Sequence, residues 1–478
     1  MRSCVTRVGW LVLALSCLAF GEVSAFAARP GGGQHYNSSP ASRPSTPSSH
    51  ASSGSSWNSH SSGTTSTGGG GGGGDVDLTF VLLLVVVIVV VAIVVARLKK
   101  GAADRATVAT SGAARQAGLT ALKAQDPAFD EAAFSERVKR MMTAFNQAWS
   151  KGVMAPARRF ASDGVYTRFQ TQLELLKQGG VRNMMVDARP ISAEIAAASA
   201  DATWDTLHVK IVGEARDADV PSSLSDADAE KKARSAPLAR YEEVWSFVRR
   251  RGRKSKAGVP ALEGACASCG AELPPGDVVR CDVCKALTNS GEHDWVLAEI
   301  TQPEEWSPTG GEDPVGLLAL RQRDPALSRQ ELEDRASVIF WKWIDARITG
   351  TTKRFDRFCS EPGIIPAPPA RLTKVAVGSA DLLEVTPAEK ISSDELDDAE
   401  IEIKWSASVD GGEPTPMICT VNLSRPSTAS SKRGLSCLDC PNCGGPVAES
   451  DAVSCAYCKE PLVGSKKEWT CNSIYSEG

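Results

Sequence analysis

With 478 residues and 42% hydrophobic content, the chain has room for two or three domains with sizeable cores. A formal charge of −4 is too small to specify a nucleic-acid partner or an acidic substrate. Of the 14 cysteines, eight fall into two regular clusters, two (Cys4, Cys17) lie near the start, and Cys359, Cys419, Cys437 and Cys471 are scattered. That distribution suits metal binding and excludes a disulfide scaffold.

Residues 1–25 carry Arg2 and Arg7, an apolar stretch Trp10–Phe20 and Val23-Ser24-Ala25, the pattern of a secretory signal peptide. Residues 26–75 are rich in Ser, Gly, Thr and Pro and end in seven glycines, Gly68–Gly74. They have too little apolar area to offset ordering and are expected to be disordered, with His35, His50 and His60 solvated. Within 76–97, Leu78–Ala96 is a run of nineteen uncharged residues, long enough as a helix to cross roughly 28 Å of hydrocarbon. Asp75 and Asp77 precede it, and Arg97, Lys99, Lys100 and Arg105 follow. The basic flank belongs inside, which predicts a single-pass protein of the cell inner membrane with a periplasmic tail and cytoplasmic C-terminal domains. Residues 98–125 read as a linker.

The first folded domain is expected over 126–305. Asp126-Pro127 suits a helix start, with Asp as cap, and Phe134, Val138, Met141, Phe145 and Trp149 then line one helical face. A second helix is expected over Ala155–Gly179. The period then falls to two: Ile191–Ile195 and Leu207–Ile211 read as strands, and Tyr241–Arg250 and Trp295–Ile300 as the last hairpin. Helices followed by a strand meander make an α+β unit.

That hairpin carries Cys266-Ala-Ser-Cys269, eleven residues, then Cys281-Asp-Val-Cys284. The framework returns 174 positions later as Cys440-Pro-Asn-Cys443, eleven residues and Cys455-Ala-Tyr-Cys458, followed by Trp469 where the first copy has Trp295. Paired C-x-x-C knuckles at this spacing present four thiolates to one Zn2+, giving two zinc ribbons, 264–288 and 438–462. A closed four-thiolate site has no open coordination position, so both are expected to be structural. Thiolates also persist best in a reducing compartment, which agrees with the orientation read from the basic flank.

After a linker at 306–323, a second copy is expected over 324–478. Asp324-Pro325 echoes Asp126-Pro127, Ser328-x-x-Glu331 forms a capping box, and Leu332, Ala336, Ile339 and Trp343 repeat the helix face. Strands follow at 372–377, 401–407, 417–423 and 469–475. Pro362, Pro366, Pro368 and Pro369 stand where the first copy has its second helix, so the second domain is a reduced version.

Asp126–Trp149, Phe160–Tyr166, Trp245-x-Phe247-Val248-Arg249 and Asp294–Ile300 together resemble the Tim44-like domain, named for a subunit of the mitochondrial inner-membrane import motor. The whole layout is similar to that of bacterial members of the family. The resemblance covers 126–305 well and 324–476 only weakly. It implies two cone-shaped α+β domains akin to nuclear transport factor two, with helices closed over a sheet; a pocket is expected in the first domain, where the second helix is present. It also implies membrane association and a tethering or transport-accessory role. The chaperone-binding segment of the mitochondrial protein has no counterpart here, so motor activity is not carried over.

The favoured function is a membrane-tethered binding or adaptor module for a protein or lipid partner. The alternatives are a nucleic-acid-binding ribbon protein and, behind it, an enzyme using the first pocket. Arg249–Lys256, six cations in eight residues, reads as a solvated turn, an anionic-lipid patch or a nucleic-acid contact. No aromatics interleave with these cations, which disfavours nucleic acid. His208 is expected to be solvated or pocket-lining, and His293 to be a turn residue or a partner to the zinc ligands. The sequence contains no serine-histidine-aspartate order, phosphate loop or His-Glu-x-x-His, and no small-molecule substrate is indicated. The expectation is therefore not an enzyme.

Overall fold

A computed structural model describes residues 112–256, 263–274, 276, 278–307, 312–431, 434–447 and 451–477. The expected signal peptide, disordered tail and membrane span all lie outside the described residues. Among those residues no helix is long and apolar enough to cross a membrane.

The order is helices then sheet, twice. The first half contains α1 (residues 112–125), α2 (Glu131–Ser150), α3 (Asp163–Gln178), β1 (Val181–Ala200), β2 (Trp204–Pro221), β3 (Leu238–Arg250) and β4 (Val296–Thr301). The second contains α4 (Val315–Leu320), α5 (Arg329–Thr349), β5 (Leu372–Thr386), β6 (Leu396–Val409), β7 (Thr415–Pro426) and β8 (Thr470–Glu477). Each half has a four-stranded antiparallel sheet in chain order, β1-β2-β3-β4 and β5-β6-β7-β8. The α+β expectation therefore holds, with strands longer than alternation alone suggested.

Several boundaries move. Asp126 does not cap α2; that role falls to Asp130, whose carboxylate accepts from Ala133 N. The expected Ala155–Gly179 helix breaks, because Ala155–Arg158 ends after one turn and Ser162 then caps α3 afresh. Residues 112–125, read from composition as linker, form a helix whose Leu119 and Leu122 are buried in the first core. Likewise α4 falls inside the expected 306–323 linker and buries Leu317 and Leu320 in the second. These two helices are copies: Gly118-Leu119-x-x-Leu122 recurs 198 positions on as Gly316-Leu317-x-x-Leu320. Each glycine lies so close to a strand carbonyl, Ala198 O or Val385 O, that a Cβ would overlap the oxygen. Replacing Gly118 with valine must push α1 off β1. A loss of about 3 kcal/mol in unfolding free energy is expected, measured as a lowered denaturant midpoint at unchanged slope.

Aromatic side chains pack in the interior of the first half. Phe145 packs edge-on against Phe169 (4.4 Å) and Trp245 (5.6 Å), and Phe134 against Phe247 (5.6 Å). In the second half no helix intervenes between Asp356 and Leu372, as the four prolines require. Instead α3 of the first half packs on α5, and its Leu175 belongs to the second core while Phe169 belongs to the first. Gln172 Nε2 donates to Val375 O (3.0 Å) and Arg168 to Ile300 O (2.9 Å), so one helix closes both halves.

Candidate metal centre

Each ribbon hangs from the last hairpin of its half, the first between β3 and β4 and the second between β7 and β8. Every knuckle is the same turn. Cys266 N donates to Ala271 O and Gly270 N returns to Cys266 O; Cys281, Cys440 and Cys455 repeat this with Ala286, Gly445 and Glu460. The chain reverses at a left-handed residue directly after each knuckle: Gly270 (φ 78°), Lys285 (61°), Gly444 (73°) and Lys459 (63°). Glycine adopts that conformation freely; the two lysines adopt it against a steric cost that the surrounding turn must offset.

The thiols converge as the spacing requires. Cys266 Sγ is 3.6 Å from Cys284 Sγ, and Cys269 Sγ is 3.7 Å from Cys281 Sγ. In the second ribbon Cys440–Cys458 and Cys443–Cys455 are both 3.7 Å apart. Within each set all four sulfurs lie within 4.8 Å of one another. A tetrahedron with Zn–S of roughly 2.3 Å has sulfur–sulfur edges of roughly 3.8 Å, whereas a disulfide needs about 2 Å. Both tetrads thus have the size and donor chemistry to hold an ion such as zinc, and none of the eight cysteines is in a disulfide.

The four sulfurs of a tetrad are not equivalent. Burial pushes the Cys266 and Cys440 thiols up to about 12. The Ala286 N–H draws Cys284 down to about 6, and the Glu460 N–H with Asn442 does the same for Cys458. A metal must therefore displace a proton from a buried thiol at neutral pH. Zinc affinity is expected to weaken about tenfold or more for each unit that pH falls below 7, which competition with a chromophoric chelator across pH 5.5–8 would measure.

The remaining candidates are placed differently from expectation. Arg249, the first cation of the basic run, is buried: it pairs with Asp126 (2.9 Å) and Asp205 (3.6 Å) and lies 4.4 Å over the Trp295 ring. Burial would raise Asp126, but Ser255 and Arg249 hold it below the usual carboxylate range; Asp205 is raised by its burial. Four other members of the run are exposed and bond to the backbone, Arg251, Arg253, Lys254 and Lys256 donating to carbonyls of Asp201, Glu292, Gln125 and Ala267. His208 is half-buried. Trp306 covers it (5.9 Å between rings), Ser246 Oγ lies 2.8 Å from Nδ1, and burial lowers it to about 4, leaving a neutral imidazole. His293 is half-buried in the turn before β4, where burial, Arg253 and Lys256 lower its pKa. A cleft of about 520 Å³ lies at the seam between the halves, lined by Thr203, Arg250, Arg323, Asp324 and Ser431.

The helix and strand pattern of the first half agrees with an independent comparison. Residues 115–258 match the Tim44-like domain. The match opens inside α1, not at Asp126, and closes before Cys266, so the first ribbon and the whole second half lie beyond it. No curated protein matches the chain. Among solved structures, an "Ntf2 like protein involved in plasmid conjugation" is 10% identical over 59% of this chain and 92% of that one. Its TM-score is 0.15, too low to speak for a shared fold or role.

Beyond the Tim44-like match, the second half repeats the first half's buried charges. Arg425 pairs with Asp324 (2.7 Å) and Asp397 (3.5 Å) and lies 4.6 Å over Trp469, matching Arg249, Asp126, Asp205 and Trp295. Arg335–Glu468 (2.8 Å) likewise matches Arg137–Asp294 (2.8 Å). Sequence reading missed these sets. The usable signal was the recurrence of Asp-Pro, an arginine closing a strand and a tryptophan opening the next.

Proposed function

We propose that the chain is a membrane-tethered adaptor. Its two zinc ribbons hold a protein partner beside the cytoplasmic face of the membrane, in an accessory role such as protein transport. The observation that carries this reading is at the knuckle tips. Val283 and Tyr457, which occupy equivalent positions in the two ribbons, are 71% and 66% exposed on turns that metal would make rigid. Apolar side chains presented on rigid turns lose little entropy on docking. A lipid patch has less support because Arg249 is buried against Asp126 and Asp205 and four further cations of the run, though exposed, donate to backbone carbonyls. Nucleic acid is disfavoured because the ribbons are acidic, with three acidic and two basic residues over 264–288 and four and one over 438–462. The reading is non-catalytic: aromatic side chains pack between the helices and the first sheet, and Trp306 lies beside the neutral His208.

Photocrosslinking tests the proposal. A crosslinker at 283 or 457 in the full-length chain in its own membranes is expected to trap one discrete protein adduct, absent with the crosslinker at exposed Lys231 and lost in Cys266→Ser. Identical patterns at all three positions would remove the ribbons from the binding surface.

A further inference from the structure

The two ribbons touch through a residue that has no counterpart in the duplication. Arg280 directly precedes Cys281; the equivalent position in the second ribbon is Ser454. The Arg280 guanidinium donates to Lys285 O in its own ribbon (2.9 Å). It also reaches the second ribbon, pairing with Asp439 Oδ2 (2.7 Å) and donating to Gly444 O. Lys285 and Gly444 are the left-handed residues that close one knuckle of each ribbon, and their N–H groups complete those turns onto Cys281 O and Cys440 O. Asp439 directly precedes Cys440. A single side chain thus braces the second knuckle of the first site against the first knuckle of the second.

The ribbon bases are joined as well. Asp163, at the start of α3, accepts from Asn289 Nδ2 (3.0 Å) through one carboxylate oxygen and from Cys437 N (2.8 Å) and Leu438 N (2.9 Å) through the other. Asn289 follows the first ribbon and Cys437 precedes the second. Rigid-body independence of the ribbons is therefore restricted at both the base and the knuckles.

We infer that the two metal sites load cooperatively, with Arg280 as the coupling residue. The inference rests on the reading that each tetrad binds zinc. Loading the first site fixes Cys281–Lys285, and with it the Lys285 carbonyl that orients Arg280. The oriented guanidinium then holds Asp439 and Gly444 where the Cys440–Cys443 turn needs them. The second ion meets a turn already ordered, so less of its binding free energy is spent on ordering it. Linkage requires the reverse effect to be equal.

Zn2+ titrations of the metal-free full-length chain against a chromophoric chelator test this, with circular dichroism of each zinc-loaded variant as a check on folding. Cys443→Ser removes the second site, and the affinity of the first is expected to fall about fivefold or more; Cys269→Ser should weaken the second site by the same factor. In Arg280→Ser, which installs the residue found in the second ribbon, the sites should fill independently, and adding Cys443→Ser should no longer change the first. If each single-site variant leaves the other site's affinity at the wild-type value, coupling is overturned while the metal-centre reading stands. A chain that takes up no zinc overturns both.

Discussion

Stripping zinc from the full-length chain is expected to unfold both ribbons while leaving the two sheets in place. Elemental analysis of the purified protein should return two zinc ions per chain, and one in Cys440→Ser or Cys266→Ser. The ribbon interiors explain why. Apart from its cysteines, the small core of the first ribbon has Leu273 with Ala271 and Ala286 packed around it; that of the second has Leu462 with Val447 and Ala452. Burying one leucine contributes about 2 kcal/mol, while ordering each residue of the backbone costs about 1–2 kcal/mol. An ion bound by four thiolates supplies on the order of 10–16 kcal/mol and decides the balance. Chelation should therefore open cleavage sites within 264–288 and 438–462 without changing those in β1–β3. If chelated protein resists protease as well as the loaded form does, the metal is not what holds the ribbons. β8 follows the second ribbon directly, so its pairing with β7 is the part of the second sheet most exposed to the loss.

Local and periodic features were legible in the sequence. The knuckles, their 174-residue offset, the α2 and α5 faces and the capping box at Ser328 depend on residues close together in the chain. Ser328 Oγ does accept from Glu331 N (3.1 Å). What escaped depends on strand register and on contacts between the halves. Asp205 is an ordinary strand aspartate until β2 and β3 pair and set it opposite Arg249. His208 was placed correctly on the face opposite Leu207 and Val209, but nothing local indicates that Trp306 folds back over it. The four prolines announced the missing helix of the second half; that α3 would take over its packing follows only from how the halves dock. The α1 repeat was the avoidable omission, because Gly118-Leu119-x-x-Leu122 and Gly316-Leu317-x-x-Leu320 stand the same distance before their Asp-Pro pairs.

Removing the guanidinium from the second buried set carries the other large effect. In Arg425→Met, Asp324 and Asp397, whose side chains are 4% and 0% exposed, lose the cation that faces them both. Breaking a buried pair from one side costs about 3–5 kcal/mol, because the remaining charge keeps its desolvation penalty. The variant is expected to lose that much at pH 7 in denaturant unfolding. Arg323 still pairs with Asp397 in the variant, so Asp324 bears most of the uncompensated charge. A loss that neutralising both carboxylates as well fails to recover would point to the cavity above Trp469. The triple change Arg425→Met, Asp324→Asn, Asp397→Asn removes all three charges at once. It should recover most of the loss at pH 7, as expected when the set adds little net stability and instead locks the Asp-Pro turn, β6, β7 and Trp469 into one arrangement.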